Sequence, residues 1–324
     1  MIKVGIVGAG FMGKIHAESL KQLNNGCVHV VYDVNPEMAR SFAKTYDCRV
    51  AGSFEELLES VDAVVLAVPT TFRKDYLESV FKKNVPTLCE KPLARTLEEA
   101  EWIAKRVEET KTKFMVDHVV RFFPEYREIQ KRIKEGEIGV VSEARSFRGG
   151  PFPRWSRWFK SFKMSGGVIL DLAIHDIDFW IWTLGDVREV RAQSLDFSEE
   201  ISKDHCYIIL AFENGALAHI EGTWAYPSDA PFKTAVEVVG SNGTISFEST
   251  QITPLKIYDE GGEKVESPVA MGPYVRVMES FLNAIEKDLP VEISAEDGLR
   301  AVRVSLMALK SAVERRTVKA GEML

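Results

Sequence analysis

The sequence predicts an α/β chain: a doubly wound parallel sheet, then an α+β domain built on an open, largely antiparallel sheet. Three observations carry this. Strand-like and helical segments alternate through residues 1–120, the pattern of stacked βαβ units. A glycine-rich turn, Gly8-Ala-Gly10-Phe11-Met12-Gly13, separates the first strand from the first helix. Beyond residue 190, β-branched and aromatic runs follow one another, with Asn214-Gly215 and Asn242-Gly243 between neighbours, the strongest short hairpin signal. The boundary is placed near residue 120, giving domains 1–120 and 121–324.

In chain order, residues 2–7 read as a buried strand and 14–23 as the helix after the glycine turn. In a dinucleotide-binding turn Gly8 permits the tight bend, Gly10 the close approach of a pyrophosphate and Gly13 the packing of helix on strand. The helix N-terminus supplies free N–H groups for the phosphates. A second strand, 28–33, ends in Asp33, where a ribose-binding carboxylate is expected. Val34 and Asn35 follow it rather than a base, so NAD is predicted over NADP; Arg40 is the nearby cation that weighs the other way. Further strands are expected at 63–68, closed by Pro69-Thr70-Thr71, at 86–89, ending in Glu90-Lys91-Pro92, and at 113–117, followed by His118. Helices fall at 74–83 and 96–110, the latter capped by Thr96 with Glu99 three residues on. Ligands bind beyond the carboxyl ends of such strands, where Pro69, Lys91 and His118 lie.

Composition narrows the function classes. The 324 residues are 45% hydrophobic and 27% charged, with a net charge of −7. That balance speaks against a general nucleic-acid binder or an anionic-membrane binder. Cys27, Cys48, Cys89 and Cys206 are scattered, which favours reduced thiols in a cytoplasmic protein over a disulfide frame. Met1 leads straight into a strand, so no signal peptide is expected. No apolar run approaches the ~20 residues that span a bilayer.

The second domain centres on Ser165–Trp182, an almost wholly apolar stretch read as one buried helix. At about 100° per residue, Asp171, His175 and Asp178 share a face. Such groups are costly to bury unless they are partnered or face a cavity. A satisfied structural network and a site for proton transfer or metal binding both answer that requirement. Before this helix, residues 154–163 concentrate Arg154, Trp155, Arg157, Trp158, Lys160 and Lys163. They read either as a loop over a site, with Trp155 and Trp158 facing substrate, or as a hydrophobic loop anchored in the core. Strands are expected at 190–197, 205–212, 216–224, 234–239, 244–247 and 255–258, with helices at 126–136, 274–287 and 295–314, the last capped by Ser294.

Taken together, Gly8-x-Gly10-x-x-Gly13 with Asp33, Glu90-Lys91-Pro92, Arg121-Phe122-x-Pro124 and Gly166-Gly167-x-x-x-Asp171-x-x-x-His175-x-x-Asp178 resemble the Gfo/Idh/MocA oxidoreductases, the glucose–fructose oxidoreductase and inositol dehydrogenase relatives. The resemblance implies a Rossmann domain whose cofactor contacts include Gly8, Gly10, Phe11, Met12, Gly13, Asp33, Pro69, Thr70, Glu90 and Lys91. It implies that Lys91, Asp171 and His175 form the catalytic trio. It also implies a homodimer or homotetramer assembled through the second sheet. Arg73 and Asp117-His118 depart from the common pattern and bear on which substrate is taken.

The residue types suit that chemistry. Oxidation of a secondary alcohol needs a base for the hydroxyl proton, and neutral His175 fits near pH 7. Lys91 stabilises developing alkoxide charge, and Asp171 orients the ring or binds a neighbouring hydroxyl. His118, Arg121 and Asp178 are candidates for substrate contact or support. A metal site is not expected, because Asp171, His175 and Asp178 lie on one helix and a lysine belongs to the same chemistry. The predicted substrate is a sugar or inositol-like polyol, with a nucleotide sugar or uronate, or a non-enzymatic cofactor-dependent regulator, as alternatives.

Overall fold

A computed structural model describes residues 1–154, 157–196, 204–251, 255–259, 261–266 and 271–323. Trp155, and Phe197 at the end of an expected strand, lie outside the described residues. The chain forms two compact units, residues 1–119 with 271–299 and residues 120–270 with 300–324.

The first unit alternates as the pattern requires: β1 (Ile2–Val7), α1 (Phe11–Leu20), β2 (Gly26–Tyr32), α2 (Pro36–Tyr46), β3 (Arg49–Val50), α3 (Phe54–Glu59), β4 (Ala63–Leu66), α4 (Arg73–Lys83), β5 (Thr87–Glu90), α5 (Leu97–Thr110) and β6 (Phe114–Asp117). The six strands form one parallel sheet in the order β3-β2-β1-β4-β5-β6. The chain reverses direction across the sheet between β1 and β4, the switch point where open α/β sheets bind ligands. β4, β5 and β6 are buried at every position, which is why none of them reads as an alternating apolar–polar strand. Thr96 caps α5, its Oγ1 accepting from the Glu99 N–H at 3.2 Å.

One expectation is corrected here. The sequence division left everything after residue 120 in the second domain, yet 271–299 return to the first unit. The helix Pro273–Glu286 packs on α1, with Leu282 against Gly26 and Glu286 accepting from Asn25. The amphipathic pattern announced a helix but carried no record of which sheet its apolar face would cover.

The second unit comprises α6 (Pro124–Lys134), β7 (Val141–Pro151), the short α7 (Phe162–Ser165), a π-helical turn at Ile169–Ala173, α8 (Ile174–Leu184), β8 (Val187–Leu195), β9 (His205–Phe212), β10 (Leu217–Tyr226), β11 (Lys233–Gly240), β12 (Gly243–Glu248), β13 (Leu255–Asp259), β14 (Gly262–Glu266) and β15 (Val318–Lys319). Helices α9 (Pro273–Glu286) and α10 (Ala295–Glu314) precede β15. Ser294 and Asp297 form a reciprocal cap at the start of α10, with Ser294 Oγ accepting from Asp297 N–H and the Asp297 carboxylate accepting from Ser294 N–H. The nine strands run β14-β13-β12-β11-β7-β10-β9-β8-β15, every pair antiparallel except β7 with β10. Both Asn-Gly sites lie at the expected turns, β9 to β10 and β11 to β12.

α8 and the π-turn cover one face of this sheet. Gly222 in β10 allows the approach, since a side chain there would meet Ala173, Val168 and Cys206. Trp180, fully buried, donates to Ser146 Oγ of β7 at 3.1 Å. On the other face, Tyr207, Ile209 and Leu217 are exposed, the alternation of a sheet with one covered side.

Candidate active site

In the first unit the glycine turn is shaped for a dinucleotide. Gly8 has φ +98°, and a Cβ there would strike the Ala67 carbonyl. At Gly13 a Cβ would collide with the Gly8 carbonyl oxygen, whereas beside Gly10 the space within 4 Å is open. Turn closure and helix packing therefore explain two of the glycines, and the third borders room that the protein itself does not fill. Among the described residues no side chain caps the start of α1, which leaves its first N–H groups to an anion. Asp33 accepts from Ala9 N–H and Asn35 N–H, both at 2.8 Å, which fixes its carboxylate beside the turn. At the end of β4, the hydroxyls of Thr70 and Thr71 are buried with no partner among the described residues. Open space at Gly10, an uncapped helix end, a pinned carboxylate and two unsatisfied hydroxyls all fit NAD.

Lys91 follows β5 directly. Arg73, 3% exposed, donates to the backbone carbonyls of Val68 at 3.3 Å, Lys91 at 3.1 Å and Pro92. It stitches the end of β4 to the Lys91 turn, a positioning role that the sequence did not disclose. The grouping of three further side chains was also missed. His16, in α1, hydrogen-bonds Glu90 at 2.8 Å, and Asp117 lies 3.5 Å from the same ring nitrogen. Glu90 and Asp117 stand out in the sequence at the ends of β5 and β6, but no local pattern joins them to a histidine three residues after Gly13. Burial opposes charge on Glu90, but the His16 hydrogen bond, the His16 charge, Lys91 and Arg73 prevail and hold it below its ordinary value. His16 is raised, with Glu90 and Asp117 outweighing the effect of burial. Asp117 is raised well above an ordinary aspartate, by burial first and then by the Glu90 charge. His118 is fully buried at the end of β6.

In the second unit a π-turn interrupts the regular α-helical spacing of the expected helix. Asp171 sits in the π-turn, where i→i+5 bonding replaces the 100° step, and His175 and Asp178 lie in α8. π-Turns of this kind recur at functional sites. Asp171 is 8% exposed and His175 is half-buried. Asp178 faces Arg121, which reaches both its oxygens. The neighbouring Asp176 is held by Arg148, whose NH2 also donates to the Tyr126 hydroxyl at 3.1 Å. Two of the three acids between 171 and 178 therefore join arginines, an outcome the helix pattern alone did not separate from catalysis. Trp158 stacks on Phe159, with centroids 4.2 Å apart, and packs on the second unit's core.

A doubly wound sheet with an NAD-shaped turn, a lysine at a strand's carboxyl end and a separate mixed-sheet unit define a nicotinamide-dependent oxidoreductase. Residues 2–118 match the family model described as "Oxidoreductase family, NAD-binding Rossmann fold", and 126–246 match "GFO/IDH/MocA C-terminal domain". The chain belongs to the Gfo/Idh/MocA family, and it is an NAD-binding oxidoreductase. It is similar to the myo-inositol 2-dehydrogenase of Thermotoga maritima, 26% identical across 100% of both chains. It is also similar to the inositol 2-dehydrogenase of Rhizobium meliloti, 29% identical across 98% of each. An oxidoreductase from Agrobacterium radiobacter, crystallised with NAD+, L-tartaric acid and magnesium, shares the fold at a TM-score of 0.91 and 21% identity, covering 100% of this chain and 99% of that one. No described helix is long and apolar enough to cross a membrane.

Proposed function

We propose that the protein interconverts a secondary alcohol and a ketone on a sugar or inositol-like cyclic polyol. The observation that carries this is Lys91 at the carboxyl end of β5, its backbone clamped by Arg73, on the sheet that bears the NAD-shaped turn. NAD supplies the hydride acceptor. Lys91 donates a hydrogen bond to the reacting oxygen and stabilises its developing negative charge. His175 takes the hydroxyl proton, and Asp171 orients that imidazole or holds a neighbouring hydroxyl. The names of the inositol dehydrogenase relatives support the polyol class. The Arg121–Asp178 pair acts as a strut on the helix that carries His175 rather than as a ligand for substrate, since each charge already meets the other. The exposed apolar residues Tyr207, Ile209 and Leu217 support a homodimer or homotetramer built through the nine-stranded sheet. Four free cysteines support a cytoplasmic setting.

The test is NADH formation with NAD and a panel of inositols, aldoses, uronates and nucleotide sugars. Activity should appear with an inositol or aldose and fall about 100-fold or more in Lys91→Ala and His175→Ala. Turnover that survives both substitutions would sink the assignment, and activity confined to nucleotide sugars would reassign the substrate.

A further inference from the structure

The carboxyl ends of β5 and β6 hold an unusual buried cluster. Glu90 and Asp117 are register partners on these parallel strands, and His16 reaches both from α1. The three are 6%, 1% and 0% exposed. Hydrogen bonding discriminates between the protonation states. Among the described residues, neither oxygen of an ionised Asp117 has a donor. An undonated carboxylate, out of water and beside a second carboxylate, is the most costly arrangement available to this trio. A neutral Asp117 turns the same contact into an O–H···O bond donated to Glu90. Glu90 then accepts from His16 and from Asp117, and no undonated charge is left in the trio.

We propose that Asp117 is a positioning residue for Lys91: as a neutral acid it donates to Glu90 and holds that carboxylate toward His16 rather than toward the adjoining lysine ammonium. This rests on the reading of Lys91 as the group that contacts the reacting oxygen. The charged and titratable groups around Asp117 are His16 from α1, Glu90, Lys91 and Cys89 from the β5 end, and Arg73 from α4 acting on Glu90. When Asp117 ionises at alkaline pH, its carboxylate competes for the Lys91 ammonium and turnover falls. A metal is the rival occupant, since one donor atom from each of His16, Glu90 and Asp117 lies within 4.8 Å of the others. The positive charges of Lys91 and Arg73 acting on Glu90 oppose a cation there, and a proton meets the need without one.

Infrared spectroscopy on the full chain, with aspartate labelled by 13C at the carboxyl carbon, tests the protonation without any substrate. A protonated-carboxyl stretch is expected at neutral pH, shifted by the label and absent from Asp117→Asn. Absence of that band in folded wild type, or one divalent ion per chain by elemental analysis, overturns the proposal. The kinetic arm uses whichever polyol is turned over. Asp117→Ala should lower kcat about tenfold with little change in KM. Asp117→Asn, whose amide still donates to Glu90, should recover most of that loss. It should also lack the alkaline fall that in wild type follows the infrared titration. An alkaline limb unchanged in Asp117→Asn refutes the positioning role. A labelled band together with turnover indifferent to Lys91→Ala refutes the reading of Lys91 and leaves the neutral acid standing.

Discussion

Arg121 grips Asp178 with two parallel bonds, Nε to one carboxylate oxygen at 2.8 Å and NH2 to the other at 2.6 Å. The residues are 4% and 1% exposed, and the guanidinium also lies 5.5 Å from the Trp182 ring. The pair ties the turn after β6 to α8, the helix that carries His175. Breaking one side leaves a desolvated charge with its partner removed. Asp178→Asn should therefore lower stability by roughly 3–5 kcal/mol, read as an earlier urea midpoint. Replacing both by Met and Leu should cost less than either single change, because no orphan charge remains. Singles that unfold like wild type would show that the pair is not a strut.

The glycine turn offers a separation of folding from binding. Gly10→Ala puts a methyl into open space, whereas Gly13→Ala drives one into the Gly8 carbonyl. The first should keep the thermal midpoint of the apoprotein yet weaken NAD by about tenfold or more, roughly 1.4 kcal/mol. The second should lower both. Calorimetric titration with NAD beside thermal melts checks this, and unaltered NAD affinity in Gly10→Ala would remove the pyrophosphate from that position.

Stability should depend on pH through the buried trio. Asp117 binds its proton more tightly folded than unfolded. Its contribution is thus fully present below the unfolded aspartate value and declines as pH rises toward the folded one. Asp117→Asn has no such dependence. Its stability relative to wild type should rise with pH from about 4 upward, by up to about 1.4 kcal/mol per pH unit. Glu90 runs the other way, since its lowered value stabilises the fold above the unfolded glutamate value and is lost on acidification. His16, raised, stabilises below the unfolded histidine value and loses that contribution as pH climbs through its folded one. Urea titrations of wild type and Asp117→Asn across the acid-to-neutral range measure the difference, and parallel curves would mean that Asp117 is ionised in the fold.

Much of this arrangement was legible in the chain itself. Apolar runs located β1, β2, β4, β5 and β6, because a parallel sheet with helices on its faces buries most of each strand. Caps at Thr96 and Ser294 were readable because a helix start is satisfied by residues three positions away. The glycine turn and Asp33 were readable for the same reason, since the turn is specified by backbone freedom within six residues.

Local chemistry thus determined the fold class, the cofactor turn, the caps and the presence of acids on the central helical stretch. Tertiary structure alone decided which acid met which arginine, Asp178 with Arg121 and Asp176 with Arg148. It also decided that a π-turn would carry Asp171, that residues 271–299 would return to the first unit, and that His16, Glu90 and Asp117 would share one buried space. The physical reason is range. A cap or turn is satisfied by neighbours a few residues away, whereas a buried charge is satisfied by whatever group the packing brings to it, 57 residues distant for Arg121 and Asp178 and 74 for His16 and Glu90.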